Sequence, residues 1–164
     1  MVSVINIPQL KDNYSFAILN NKEVVIVDPA DSIKILEYIN INQFTLKAIL
    51  LTHHHEDHTA GVEGILNKIK YKIPVYSPNK KIKYTTKIVK DKEIINLNFI
   101  EMDIIKTPGH TLDHVIFYSK KYNLLFSGDT LFRLGCGRVF EGTNQEMFSS
   151  LKKIYKLDNR TLVY

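Results

Sequence analysis

Thr52-His53-His54-His55-Glu56-Asp57-His58 is the stretch on which the reading of this chain turns. Imidazole and carboxylate are the donors that suit zinc and other borderline divalent ions. On an extended backbone, positions i, i+2 and i+4 point the same way, which sends His53, His55 and Asp57 to one side and His54 and Glu56 to the other. Asp57 and His58 are neighbours and need a turn to face one point; a following helix would supply it. Four donors this close fit two adjacent ions more easily than one tetrahedral ion. The competing reading is a polar turn with incidental histidines, or a tag-like run. A tag would be terminal and uninterrupted. This segment is internal, between an apolar run ending at Leu51 and an amphipathic stretch, Thr59 to Lys70, with Val62, Ile65, Leu66 and Ile69 at core spacing.

Two later segments repeat the design. Thr107-Pro108-Gly109-His110-Thr111 follows a strand-like run ending at Lys106, and its Pro-Gly pair makes a turn that presents His110 at a strand end. Ser127-Gly128-Asp129-Thr130 follows another run ending at Phe126, and an Asp with two oxygens can bridge two cations. Either alone would read as a turn or cap residue; together with the His cluster they form a donor set. His114 opens an apolar run and is read as a structural or supporting residue; Asp28 is read as a supporting residue or simply a strand-end turn residue before Pro29, and His54 and Glu56 as solvent-facing or supporting side chains.

Outward from these motifs, strands are expected over Val2 to Ile7, Tyr14 to Leu19, Glu23 to Val27, Lys47 to Leu51 and Pro74 to Tyr76. Two more fall within Glu93 to Lys106, then Val115 to Ser119, Asn123 to Ser127 and a start at Thr161 to Tyr164. Asp31 is placed to cap a helix running to about Asn40, and Asn144 to Tyr155 carries Met147, Phe148, Leu151 and Ile154 at helical spacing. Residues 78–93 are polar and without a clear period. Mixed strands and helices predict a sheet sandwich flanked by helices.

Composition excludes several classes. With 45% apolar residues in 164, the chain is too hydrophobic for a disordered one and long enough for a real core. No apolar run approaches the roughly 18 residues of a membrane span, and no secretory leader is evident at Met1 to Leu10, so a cytoplasmic address is expected. The single Cys136 rules out an internal disulfide and any multi-cysteine zinc site. The net charge of +5 comes from scattered lysines, with only Arg133, Arg138 and Arg160 as arginines; the balance suits a small anionic ligand at least as well as a nucleic-acid groove, and most of these charges read simply as a solvated lysine surface.

T-H-H-H-E-D-H at 52–58, P-G-H-T at 108–111, S-G-D-T at 127–130 and Asp28 in V-D-P together resemble the metallo-β-lactamase superfamily. D-N-Y at 12–14 and L-F-R-L-G-C-G-R-V-F-E-G-T at 131–143 are most similar to its glyoxalase II (hydroxyacylglutathione hydrolase) branch. The resemblance implies an α/β (α+β) chain with the αββα sandwich, residues 1–164 forming the catalytic domain. It also implies truncation at the C-terminal end, since the helical region that completes the glutathione pocket and one further His ligand are absent. Carried onto this sequence, His53, His55 and His110 would hold one divalent ion, Asp57 and His58 the second, and Asp129 would bridge. Zinc is the expected metal, with iron or manganese accepted by the same ligands.

The activity implied is hydrolysis of S-lactoylglutathione or a related 2-hydroxyacyl thioester to a hydroxy acid and glutathione, a step of methylglyoxal detoxification. Water acidified by the ions would attack the thioester carbonyl, with Asp57 and Asp129 as the catalytic carboxylates. Arg138 occupies the position that meets the glutathione moiety, and Phe140 stands where many relatives carry Tyr. Cys136 is read as part of a glycine-rich turn, not as a nucleophile. The alternatives are an iron-dependent persulfide dioxygenase of the same superfamily, a nuclease or β-lactamase, and a non-catalytic metal-binding fold. No nucleic-acid or membrane partner is expected; an unfinished terminal strand could pair with a neighbouring chain.

Overall fold

The computed structural model describes all 164 residues, and the chain divides into two compact units, Met1–Ile88 and Val89–Tyr164. In the first, strands β1 (Ser3–Gln9), β2 (Asn13–Asn20), β3 (Glu23–Val27), β4 (Thr45–Leu50), β5 (Val75–Ser77) and β6 (Lys87–Ile88) form one sheet in chain order. β1–β2 and β2–β3 are antiparallel hairpins; β3, β4, β5 and β6 are parallel neighbours. The parallel pair β3–β4 is deeply buried: Val24 to Val27 and Ala48 to Leu50 are all out of solvent, which is why those runs are continuously apolar and do not alternate.

Helix α1 (Ser32–Ile41) connects β3 to β4. Asp31 caps it by accepting from Ile33 N (3.0 Å), and Ile35 and Ile39, one turn apart, are its buried face. After β4 come the short helix α2 (Glu56–Thr59) and α3 (Gly61–Lys68), which buries Val62 and Ile65 in the same core as Ile26, Leu46, Ile49 and Val75.

One glycine sets how closely the two helical connections meet. Gly61 N donates to Pro29 O (2.8 Å), and a Cβ at Gly61 would lie 2.8 Å from both Asp31 C and Pro29 O. Only a residue without a side chain lets the start of α3 lie against the β3–α1 turn, and that contact brings the His-rich segment beside Asp28. The expected helix over 59–70 is thus split at Ala60 and ends at Lys68, and α2 begins earlier, at Glu56. The polar stretch 78–93 holds β6, which pairs with β5.

In the second unit, β7 (Ile94–Asn96), β8 (Glu101–Lys106), β9 (Val115–Ser119), β10 (Leu124–Phe126) and β11 (Leu162–Val163) form a sheet ordered 11-10-9-8-7. All neighbours are antiparallel except β10 and β11. Helix α4 (Asn144–Tyr155) opens with a reciprocal capping box: Thr143 Oγ1 accepts from Glu146 N and the Glu146 carboxylate accepts from Thr143 N (2.8 Å). Its Ile154, with Leu157 beyond it, lies against Ile116, Tyr118 and Leu125 of the sheet. No helix of the chain is long and apolar enough to cross a membrane.

Candidate metal centre

In the first unit the candidate donors sit beyond the C-terminal ends of the parallel strands β3 and β4, the usual place for a ligand site on a parallel sheet. Asp28 ends β3 and Thr52 follows β4. Asp28 is buried, with φ +49°, a left-handed conformation that Asp tolerates better than most residues. Its backbone is pinned there by Asp28 N to Leu50 O (2.9 Å) and by Ser15 Oγ donating to Asp28 O (2.6 Å).

The Asp28 carboxylate then organises the His segment. It accepts from Thr52 N (2.8 Å), Thr52 Oγ1 (2.6 Å) and His58 Nδ1 (2.9 Å). With the Thr52 hydroxyl proton committed to Asp28, Thr52 Oγ1 can only accept from His53 Nδ1, 3.0 Å away. Both imidazoles therefore carry their proton on Nδ1 and keep the Nε2 lone pair. For His53 that Nε2 lies 3.1 Å from His55 Nδ1; for His58, Nε2 lies 3.7 Å from Asp57 Oδ2. The His53 ring centroid is 4.7 Å from that of His55 and 4.3 Å from that of His58.

The sequence expectation of an extended run from His53 to Asp57 needs correction. The chain bends through residues 52–54, and Glu56, Asp57 and His58 are already in α2. The helical turn, not strand alternation, brings Asp57 and His58 to the cluster. His54 and Glu56 are exposed, as expected. Asn13, the first residue of β2, donates from Nδ2 to Asp57 Oδ2 (2.8 Å) and to Asp57 O (3.3 Å). Nothing in the local pattern of D-N-Y at 12–14 points to this bond, which depends on a residue 44 positions away.

In the second unit, His110 and Asp129 meet: His110 Nε2 lies 3.2 Å from Asp129 Oδ2. His110 Nδ1 donates to the carbonyl of Arg138 (2.7 Å), which again fixes the proton on Nδ1 and leaves a lone pair on Nε2. His114 holds the backbone of Asp129. Asp129 N donates to His114 Nε2 (3.1 Å), so His114 Nδ1 is the protonated atom and faces the Thr107 and Thr130 hydroxyls at 2.9 and 3.1 Å. Arg138 and Phe140 have exposed side chains, the Phe140 ring 5.2 Å from that of His110; Cys136 is exposed.

The donor chemistry fits a divalent metal. Three imidazoles, His53, His58 and His110, are each anchored through Nδ1 to an oxygen, the arrangement that orients histidine ligands and raises their basicity. At His110 the Nε2 lone pair then faces a carboxylate oxygen, two electron-rich atoms in contact, which a cation between them reconciles. Zinc–imidazole bonds of about 2.0–2.1 Å put two nitrogens of a tetrahedral shell about 3.3–3.4 Å apart, close to the 3.1 Å between the His53 and His55 nitrogens.

With these elements in place, comparison with known proteins gives the class. The metallo-β-lactamase superfamily model matches residues 10–164, and the chain belongs to that superfamily. Its α+β architecture of mixed sheets and helices is the fold expected from the sequence. A solved B3 metallo-β-lactamase, BLEG-1, is 27% identical, with a TM-score of 0.89 over 98% of this chain and 90% of that one.

More particularly, the chain is 43% identical over 164 residues to the hydroxyacylglutathione hydrolase of Edwardsiella ictaluri, and 44% identical to that of Photorhabdus laumondii. It is covered to 99% in both comparisons and spans 64% of the length of each relative.

Proposed function

We propose that the two donor groups, one in each unit, form a single binuclear centre, and that the protein is a metal-dependent thioester hydrolase acting on 2-hydroxyacylglutathione such as S-lactoylglutathione. The two units would then act as one catalytic domain. The observation that carries the reading is the shared tautomer: His53, His58 and His110 all hold their proton on Nδ1 and turn Nε2 toward another donor. The hydrolase identity draws on the two relatives of that name.

In this reading His53, His55 and His110 hold one ion, Asp57 and His58 the other, and Asp129 bridges. Zinc is the metal proposed. A pair of such ions would supply Lewis acidity for the carbonyl oxygen and bring a water's pKa toward 7.

The chain's own groups do the rest. Asp57, its Oδ2 held by Asn13, would accept a hydrogen bond from the attacking water and orient it toward the carbonyl carbon. Asp129, held through its backbone N–H by His114, would keep its carboxylate placed for bridging. The exposed Arg138 guanidinium suits a substrate carboxylate, and the Phe140 ring beside His110 offers an apolar wall. A thiol with a pKa of about 8.5 leaves as thiolate without a dedicated acid. A cytoplasmic location accords with one exposed, unpaired cysteine.

Thiol release from S-lactoylglutathione, followed together with bound metal for the protein and for His55→Ala, tests this reading. Hydrolysis that falls with the loss of bound metal in His55→Ala supports it. Equal hydrolysis by both proteins refutes it, and one iron per chain with oxygen consumption would indicate a dioxygenase instead.

A further inference from the structure

We propose that Gly137 to Gly142 is a backbone strap that sets His110 and Asp129 relative to one another, with Gly137 as a positioning residue and Arg138 acting through its main-chain carbonyl. The inference rests on reading His110 and Asp129 as metal ligands, and adds to that reading what holds them in place.

Gly137 is buried in a segment that is otherwise mostly exposed. Its N–H donates to Asp129 O (3.1 Å), and a Cβ there would lie 2.1 Å from Asp129 O, 3.1 Å from Asp129 C and 3.2 Å from Asp129 Cβ. The glycine is required by closeness: any side chain would displace the backbone of Asp129. One residue on, the Arg138 carbonyl accepts the Nδ1 proton of His110 (2.7 Å).

The strap then continues along the His110 turn. Phe140 N and Glu141 N both donate to His110 O, at 3.2 and 3.3 Å, and Gly142 N donates to Gly109 O (3.1 Å). Gly142 also sits tight, its added Cβ only 2.8 Å from Gly109 Cα. Two donors from separate strand ends are thus referenced to six consecutive residues. A shift of the strap would move the His110 ring and the Asp129 carboxylate together, and functional geometry tolerates only about 0.5 Å of such error.

The segment just before the strap carries no such constraint. Phe132 and Gly135 close a small loop on each other, Leu134 at its tip is 97% exposed, and a Cβ at Gly135 would meet nothing within 4 Å. Gly135 and Gly137, two residues apart, therefore give a built-in comparison between an open glycine and a clamped one.

The test is the affinity for Zn²⁺, measured by competition with a chromophoric chelator, and the visible absorption of the Co²⁺-loaded protein. Both are recorded for the unaltered protein and for Gly135→Ala, Gly137→Ala and Arg138→Ala, with urea midpoints to verify folding. Loss of an orienting partner weakens metal binding by about 10- to 100-fold. That loss, with an altered Co²⁺ spectrum, is expected for Gly137→Ala alone. Arg138→Ala should keep metal affinity while raising KM for the thioester, because its carbonyl survives the change.

An independent measurement needs no substitution in the strap's glycines. The Nδ1 proton of His110 should be visible by NMR, and should persist in Arg138→Ala. Wild-type metal affinity in Gly137→Ala, equal losses in Gly135→Ala and Gly137→Ala, or absence of the His110 proton signal would each overturn the strap. If the unaltered protein binds no Zn²⁺ at all, the metal centre itself fails.

Discussion

Asn13 and Asp57, 44 residues apart in sequence, are joined by a side-chain hydrogen bond of 2.8 Å from the Asn13 amide to the Asp57 carboxylate. The same amide reaches Asp57 O at 3.3 Å, so it fixes both the start of α2 and the direction of the one exposed-side carboxylate in the first-unit cluster. Asp57 is half-exposed, with 45% of its side chain in solvent, and Asn13 is what restrains it.

Asn13→Ala should therefore leave the fold intact and weaken the site that uses Asp57. The expected change is a drop of about 10- to 100-fold in metal affinity or in thioester hydrolysis, with an unchanged far-ultraviolet circular dichroism spectrum. Unaltered metal binding and turnover would show that Asp57 needs no such restraint.

Asp28→Asn carries a larger structural cost. The carboxylate accepts three hydrogen bonds in a buried position, and an amide would set its own N–H groups against donors from Thr52 or His58. Leaving a buried donor unsatisfied costs about 1–3 kcal/mol. Urea unfolding should show that loss, and His53 and His58 would no longer be held as Nε2 donors, so metal affinity should fall too. A midpoint equal to that of the unaltered protein would refute the Asp28 network.

This network also shows what was legible in the sequence. The motif at 52–58, the turns presenting His110 and Asp129, and most strands follow from local pattern, because donor spacing and apolar runs are local properties. What sequence reading missed are relations between distant backbones. Asn13 reaches Asp57 from the first residue of β2, and Gly137 is needed only because Asp129 O lies against it. The alternation assigned to 53–57 failed for a related reason: the helix starts at Glu56, drawn in where Gly61 seats against Pro29 O.

Gly61→Ala and Gly64→Ala separate backbone crowding from side-chain crowding. The first would drive a methyl to within 2.8 Å of main-chain atoms of Pro29 and Asp31, whereas the second meets the Ser32 side chain alone: its Oγ can rotate away, but its Cβ, 2.7 Å from the new methyl, yields only by a small shift of α1. Gly61→Ala is expected to destabilise by about 1–3 kcal/mol. Gly64→Ala should cost less, offset by the roughly 1 kcal/mol that alanine gains over glycine inside a helix. Chemical denaturation of the pair measures both, and a reversed order would contradict the packing described.

The turn before β11 adds an acid-dependent contribution. Asp158 accepts from Arg160 Nε (2.9 Å), Nη2 (2.6 Å) and backbone N (2.9 Å), and these contacts hold its carboxyl well below the usual carboxylate range. A folded-state pKa below the unfolded value of about 3.9 contributes stability above that value, lost as pH falls through the lowered one. Arg160→Ala should thus be less stable than the unaltered protein near neutrality, with the gap narrowing below about pH 4. Thermal midpoints across pH 2–7 measure this, and a gap constant with pH would exclude the pair as its source.

The central claim, that these imidazoles and carboxylates share a pair of ions, is tested most directly by an anomalous difference map at the zinc edge from crystals grown with Zn²⁺. Two peaks about 3.5–4 Å apart are expected, one among His53, His55 and His110 and one beside Asp57 and His58, with Asp129 between them. A map with no peak at these side chains, or with metal bound only elsewhere on the chain, would contradict it.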